Sequence, residues 1–172
     1  RVSNNNGNIL WFKSLGNDKY NSINTIAVRN NGRIFYGANF QGTLTINSNN
    51  IVSNGFDDIL IFSSDTNGVI LNTLKAGGGD FDDVKKIVAS PDGSIYVTGS
   101  FEGNATFGST VLASSGGDDI FIARVNTSVN WNWAKSLGTS YFLEYGNSLT
   151  TDNSGNIYLA ATYRDLLEYQ GN

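Results

Sequence analysis

The side chains best equipped for chemistry in this chain are its carboxylates, and they come in clusters. Asp57-Asp58 and Asp118-Asp119 are adjacent pairs, and Asp80, Asp82 and Asp83 place three acids within four residues after the glycine run Gly77–Gly79. Paired carboxylates can divide general-acid and general-base work, and hard oxygen ligands suit Ca²⁺. The triplet Asp80, Asp82, Asp83 is therefore the candidate metal site, although it lacks the Asp-x-Asp-x-Asp-Gly spacing of a calcium loop. A glycosidase needs only two carboxylates at a suitable separation, and the unrepeated acids Glu144 and Asp80 are the candidates for that role. The three tryptophans, Trp11, Trp131 and Trp133, offer aromatic faces on which a sugar ring can stack. They are the candidate ligand-binding residues.

What is missing narrows the chemistry further. There is no His and no Cys, so the commonest general base, the commonest zinc ligand, the thiol nucleophile and the disulfide are all lost. No Gly-x-Ser-x-Gly elbow occurs, and Gly77–Gly79 is followed by neither Lys-Ser/Thr nor a helix that could cradle phosphate. With 11 basic against 15 acidic side chains, the chain has no concentrated basic face for a nucleic-acid backbone. No apolar run approaches the roughly 18–20 residues of a transmembrane helix.

The elements that must position these residues emerge once the chain is slid along itself by about 61 positions. Ile26 then falls on Ile87, Gly32 on Gly93, Ile34 on Ile95, Phe40 on Phe101 and Gly42 on Gly103. Asp57-Asp58-Ile59 falls on Asp118-Asp119-Ile120, and Gly77 on Gly138. One more residue of offset brings Gly155, Ile157 and Tyr163 onto Gly93, Ile95 and Phe101. The best-preserved copy predicts strands at 84–89, 94–101, 119–125 and 131–137, with a small extra hairpin at 105–107 and 110–113. The first two are joined by the turn Ser90-Pro91-Asp92-Gly93, in which Pro91 presets φ and Gly93 accepts φ > 0. The first copy predicts strands at 23–28, 33–40, 58–63 and 69–74. A further strand is expected at 9–15, and Phe142–Tyr145 is the one marginal helical stretch. In the last copy Leu167 and Tyr169 fall on Ala105 and Phe107.

Four short antiparallel strands per copy, with turn residues every 8–12 positions, predict an all-β chain of β-propeller blades. On this reading residues 1–172 belong to one propeller, with 1–16 ending a blade, 17–77 and 78–138 whole blades, and 139–172 beginning another. Two complete and two partial blades do not close a ring. A segment of a longer chain is expected, with assembly of several copies as the alternative. Because Asp57-Asp58 recurs at the same position, these pairs are expected to fix the strand-entry turn rather than to form an active site. The tryptophans have a packing alternative between blades. Trp131 and Trp133, two residues apart, are expected on one face.

The run from Ile87 to Gly138 also carries a family resemblance. Tyr96-Val97-Thr98-Gly99-Ser100-Phe101, Thr106-Phe107-Gly108, Ser115-Gly116-Gly117-Asp118-Asp119-Ile120-Phe121-Ile122-Ala123 and Trp133-Ala134-Lys135-Ser136-Leu137-Gly138 resemble the SBBP family of bacterial β-propeller repeats. The first copy departs at Gly37-Ala38-Asn39 and has Asn72 where the tryptophan is expected. The resemblance implies an exported or cell-surface bacterial protein with no common enzymatic activity. The function expected is a non-catalytic binding or scaffold module for a protein or glycan partner, without a required cofactor. A lectin-like propeller completed by oligomerisation is the first alternative, and a carboxylate-based hydrolase or lyase the second.

Overall fold

The computed structural model describes residues 1–164, so the expected equivalence of Leu167 and Tyr169 lies outside the described residues. Among them it is all-β, with antiparallel sheets and no helix. Strands β1 (Asn21–Val28), β2 (Ile34–Phe40), β5 (Asp58–Ser64) and β6 (Ile70–Gly78) lie side by side in that order. So do β7 (Asp82–Ala89), β8 (Ile95–Phe101), β11 (Asp119–Val125) and β12 (Trp131–Leu137), while β13 (Tyr145–Thr151) pairs with β14 (Ile157–Thr162). The hairpins β3–β4 (Thr43–Ile46, Asn49–Val52) and β9–β10 (Asn104–Phe107, Thr110–Ala113) occupy the excursions between β2 and β5 and between β8 and β11.

The turns explain why the chain folds back at these points. Gly32, Gly93 and Gly155 have φ of 81°, 82° and 84°, a left-handed conformation that glycine adopts without steric cost. Gly93 N–H donates to Ser90 O at 2.9 Å, and Gly32 and Gly155 make the same bond to Arg29 O and Asp152 O. Ser94 N–H donates to Asp92 Oδ1 at 2.8 Å, which helps to pull the Asp92 carboxyl down to about 2. The paired strands bury both faces: every residue of β5 and of β8 is buried. The main core joins Phe35, Ile59 and Ile61 of the first sheet to Val84, Ile87, Phe101, Phe121 and Val125 of the second, with Phe107 of β9 between them.

Three local expectations differ from the structure. Residues 9–15 form no strand; only Val2 and Ile9 make an isolated bridge, while Trp11 and Lys13 bond through their side chains to Thr66 O and Gly68 O. Phe142–Tyr145 is not helical, and Tyr145 opens β13 instead. The acidic connection expected across Gly77–Asp83 shrinks to Gly79–Phe81, because β6 runs on to Gly78 and β7 starts at Asp82. The extension of β6 has a physical cause. Its last residues pair with β9, Ala76 with Phe107, Gly77 with Thr106 and Gly78 with Ala105, so the hairpin of the second copy adds two strands to the sheet of the first.

Candidate functional site

The acids gather at one end of the sheets, where β5, β7, β11 and β13 begin. Asp58 Oδ2 accepts Asn54 N–H at 3.0 Å, and at the equivalent position Asp119 Oδ2 accepts Ser115 N–H at 2.9 Å. Lys75 Nζ lies 3.3 Å from the Asp58 carboxylate. The neighbouring backbone also recurs: Asp82 N–H donates to Asp57 O at 2.8 Å and Glu144 N–H to Asp118 O at 2.7 Å. The acids that face one another are thus Asp58 and Asp82, which lie 24 positions apart in the chain. A Cβ on Gly77 (φ +135°) would lie 2.8 Å from both their carboxyl groups.

This arrangement is electrostatically expensive. Asp58, Asp82 and Asp119 are buried, and the Oδ1 atom of each has no hydrogen-bond partner. Burial pushes all three carboxyls up, Asp82 to about 8, with Gly78 N–H opposing at 2.7 Å and Asp58, Asp80 and Asp118 adding to the rise. Asp82 is therefore largely protonated at neutral pH, which spares the buried space beside Gly77 an uncompensated charge. A carboxyl with a raised pKa in an open cleft reads as catalytic. One closed off from solvent has no route to a substrate.

The metal candidates go to separate places. The Asp80 carboxylate lies over Gly103, Asp82 turns in beside Gly77, and Asp83 bonds to Asn39 and Lys85. No group of three such ligands surrounds a common point among the described residues. Of the two glycosidase candidates, Glu144 is fully buried and accepts from Thr139 Oγ1 at 2.6 Å.

The tryptophans are also dispersed. A bulge shifts the register between Arg124 and Val125, so that Trp133 pairs with Arg124 but Trp131 with Val125. Asn132 is the extra residue, and it puts the two rings on opposite faces rather than on one. Trp131 packs edge-on to Phe107 at 5.2 Å and donates its indole N–H to Lys75 O at 2.9 Å, wedged into the core shared by the two sheets. Trp133 lies 6.0 Å from the Tyr96 ring.

Trp11 is placed differently. Its ring lies over Gly68, and its indole N–H donates to Thr66 O at 3.1 Å. Between its segment and the β2–β5–β6 surface lies an open cleft of about 90 Å³, lined by Trp11, Lys13, Tyr36, Phe62, Ser64 and Ile70 among others. Tyr36 and Phe62 stack in it at 4.6 Å with an 11° interplanar angle. The copies differ here: Tyr36, Phe62 and Ile70 stand where the second copy has Val97, Ala123 and Trp131. Aromatic walls with a few convergent polar groups are the lining that small-ligand sites use.

Sequence reasoning missed Tyr36 and Phe62, which read as ordinary strand residues. It also missed Arg29, whose buried guanidinium stacks 4.4 Å from the Phe35 ring centroid and donates to Thr127 O and Asn126 O at 3.2 and 3.1 Å. That arginine latches a turn of the first sheet onto one of the second. Its charge directly after the apolar strand-end run Ile26–Val28 was the available signal. Comparison with models of known protein families and with curated proteins finds no match to this chain.

Proposed function

We propose that the chain is an array of β-propeller blades, of the kind the SBBP-like motifs suggest, serving as a non-catalytic binding scaffold of an exported or surface-exposed bacterial protein. Its ligand site is the cleft beside Trp11, and its ligand class is a glycan. The four-strand order β1-β2-β5-β6 and its repetition in β7-β8-β11-β12 support the blade reading. The observation that carries the function is the cleft itself. It sits where the first copy departs from the second, presents Trp11 and the Tyr36–Phe62 stack, and has Lys13 and Ser64 at its walls. Aromatic faces meet the apolar face of a pyranose ring, and the polar walls bond to its hydroxyls. The Tyr36–Phe62 wall is held by strand pairing and loses little ordering entropy on binding.

The test is a glycan array probed with the wild-type chain, with Trp11→Ala and with Trp131→Phe. Binding that disappears in Trp11→Ala and survives in Trp131→Phe supports the site. An array that stays blank for the wild-type chain, or binding that Trp11→Ala leaves intact, overturns it.

A further inference from the structure

At the start of β5 the first copy gathers an amine, an amide and a buried acid around one point. Lys75 Nζ lies 2.7 Å from Asn54 Oδ1 and 3.3 Å from Asp58 Oδ2, and it also donates to Val52 O at 2.8 Å. Asn54 N–H donates to the same Asp58 oxygen at 3.0 Å. Strand pairing holds the amine in place, because Lys75 is paired with Leu60 inside the β5–β6 ladder. Asp58 is fully buried, and its Oδ1 has no hydrogen-bond partner among the described residues.

The second copy keeps only the acid. Asp119 accepts Ser115 N–H as Asp58 accepts Asn54 N–H, but Ser115 and Ser136 stand where the first copy has Asn54 and Lys75. The acid therefore belongs to the recurring turn. The amine and the amide, which can react with each other, are added to it in the first copy alone.

We infer that Lys75 and Asn54 join in an intramolecular amide bond, with Asp58 carrying the proton between them. The Lys75 ammonium passes a proton to the Asp58 carboxylate. Burial pushes the Asp58 carboxyl up, which makes it the stronger base for this transfer. The freed amine attacks Asn54 Cγ, the exposed amide turning about its Cβ–Cγ bond to present that carbon. The Nζ–Cγ bond forms, a second proton moves from Nζ to Nδ2, and the Cγ–Nδ2 bond breaks. Ammonia leaves with the proton that Asp58 held. An ammonium and a primary amide thus become a secondary amide and an ammonium ion, with no oxidant or other co-reactant. The bond ties the loop before β5 to β6 in a chain that has no cysteine. The inference rests neither on the blade reading nor on the glycan site.

The test is the intact mass of the full chain, followed over days at neutral pH, with peptide mapping of the product. The wild-type chain is expected to become lighter by one ammonia. Chymotryptic cleavage after Phe62, which lies between the two residues, is expected to leave the Asn54 and Lys75 pieces joined. Asn54-Gly55 can also lose ammonia by closing a succinimide on the Gly55 nitrogen, but that reaction needs no lysine and its pieces come apart. Lys75→Arg keeps the charge and is expected to give no joined pieces. Asp58→Asn still accepts the Asn54 N–H, and is expected to join at least roughly 100-fold more slowly, the scale on which a positioned acid–base group acts. Near-UV circular dichroism confirms that each variant is folded, and Asp58→Ser replaces Asp58→Asn if that variant is not. A wild-type chain that keeps its full mass overturns the inference. So does a lighter chain whose pieces separate, or an Asp58→Asn chain that joins at the wild-type rate.

Discussion

Replacing Asp82 with Asn should remove a loss of stability towards alkali that arises at one defined place. The Asp82 carboxyl has a folded value of about 8 against an ordinary 3.8. Between those values the folded state holds a proton that the unfolded chain has already released. Its contribution to stability is therefore complete on the acid side of about pH 4 and is lost as pH rises towards 8. Each pH unit in that window is worth about 1.4 kcal/mol, so the interval from about pH 5 to 7.5 removes about 3 kcal/mol at most. Water entry and relaxation around Gly77 and Asp58 reduce this to roughly 2–3 kcal/mol. Asn is neutral at every pH and still accepts the Gly78 N–H, so it should not feel this loss. Urea melts followed by circular dichroism, run in parallel on both proteins from pH 5 to 8, read the difference directly. The other raised acids, Asp57, Asp58, Asp118 and Asp119, are common to both proteins and largely cancel. The Asp82→Asn variant should gain on the wild type by roughly 2–3 kcal/mol across the interval, or about 4–12 °C in Tm. A difference that stays flat with pH would refute the buried, proton-holding carboxyl.

Three further substitutions probe the frame. Gly77→Ala adds a methyl group against two carboxyls at φ +135°, and should cost roughly 2–4 kcal/mol in a denaturation experiment. Trp131→Ala empties the wedge beside Phe107 and Lys75 O; a loss of roughly 3 kcal/mol is expected in the same measurement. Arg29→Met keeps the apolar contact with Phe35 but drops both carbonyl bonds to the second sheet. It should lower stability by roughly 1–3 kcal/mol and speed amide exchange at Asn126–Asn130 before it does so in β5.

Much of the frame was legible because it rests on local signals that recur. Glycines at the turns, alternating apolar strands and the copied Asp57-Asp58 placed the strands of both complete sheets to within a few residues. The structural reading of the acid pairs was legible too, since one acid of each pair bonds to a backbone N–H four residues back in the chain. Pairing between distant segments was hidden. Nothing in Gly77–Gly78 alone says that β9 will pair with it, and so the extent of β6 and the short acidic connection were misjudged. The Asp58–Asp82 approach is equally non-local. A strict period of two placed Trp131 and Trp133 on one face, and a single bulged residue reversed that. The cleft was illegible for a different reason: Trp11, Tyr36, Phe62 and Ile70 are far apart in the chain, and only the fold brings them to one lining.

The binding claim is tested most directly by the indole N–H resonances of the three tryptophans in a ¹⁵N-labelled chain, titrated with a glycan that scores on the array. The Trp11 signal should shift progressively and saturate, while that of Trp131, held against Lys75 O, stays in place. Saturating shifts at Trp133 with Trp11 unmoved would contradict the account.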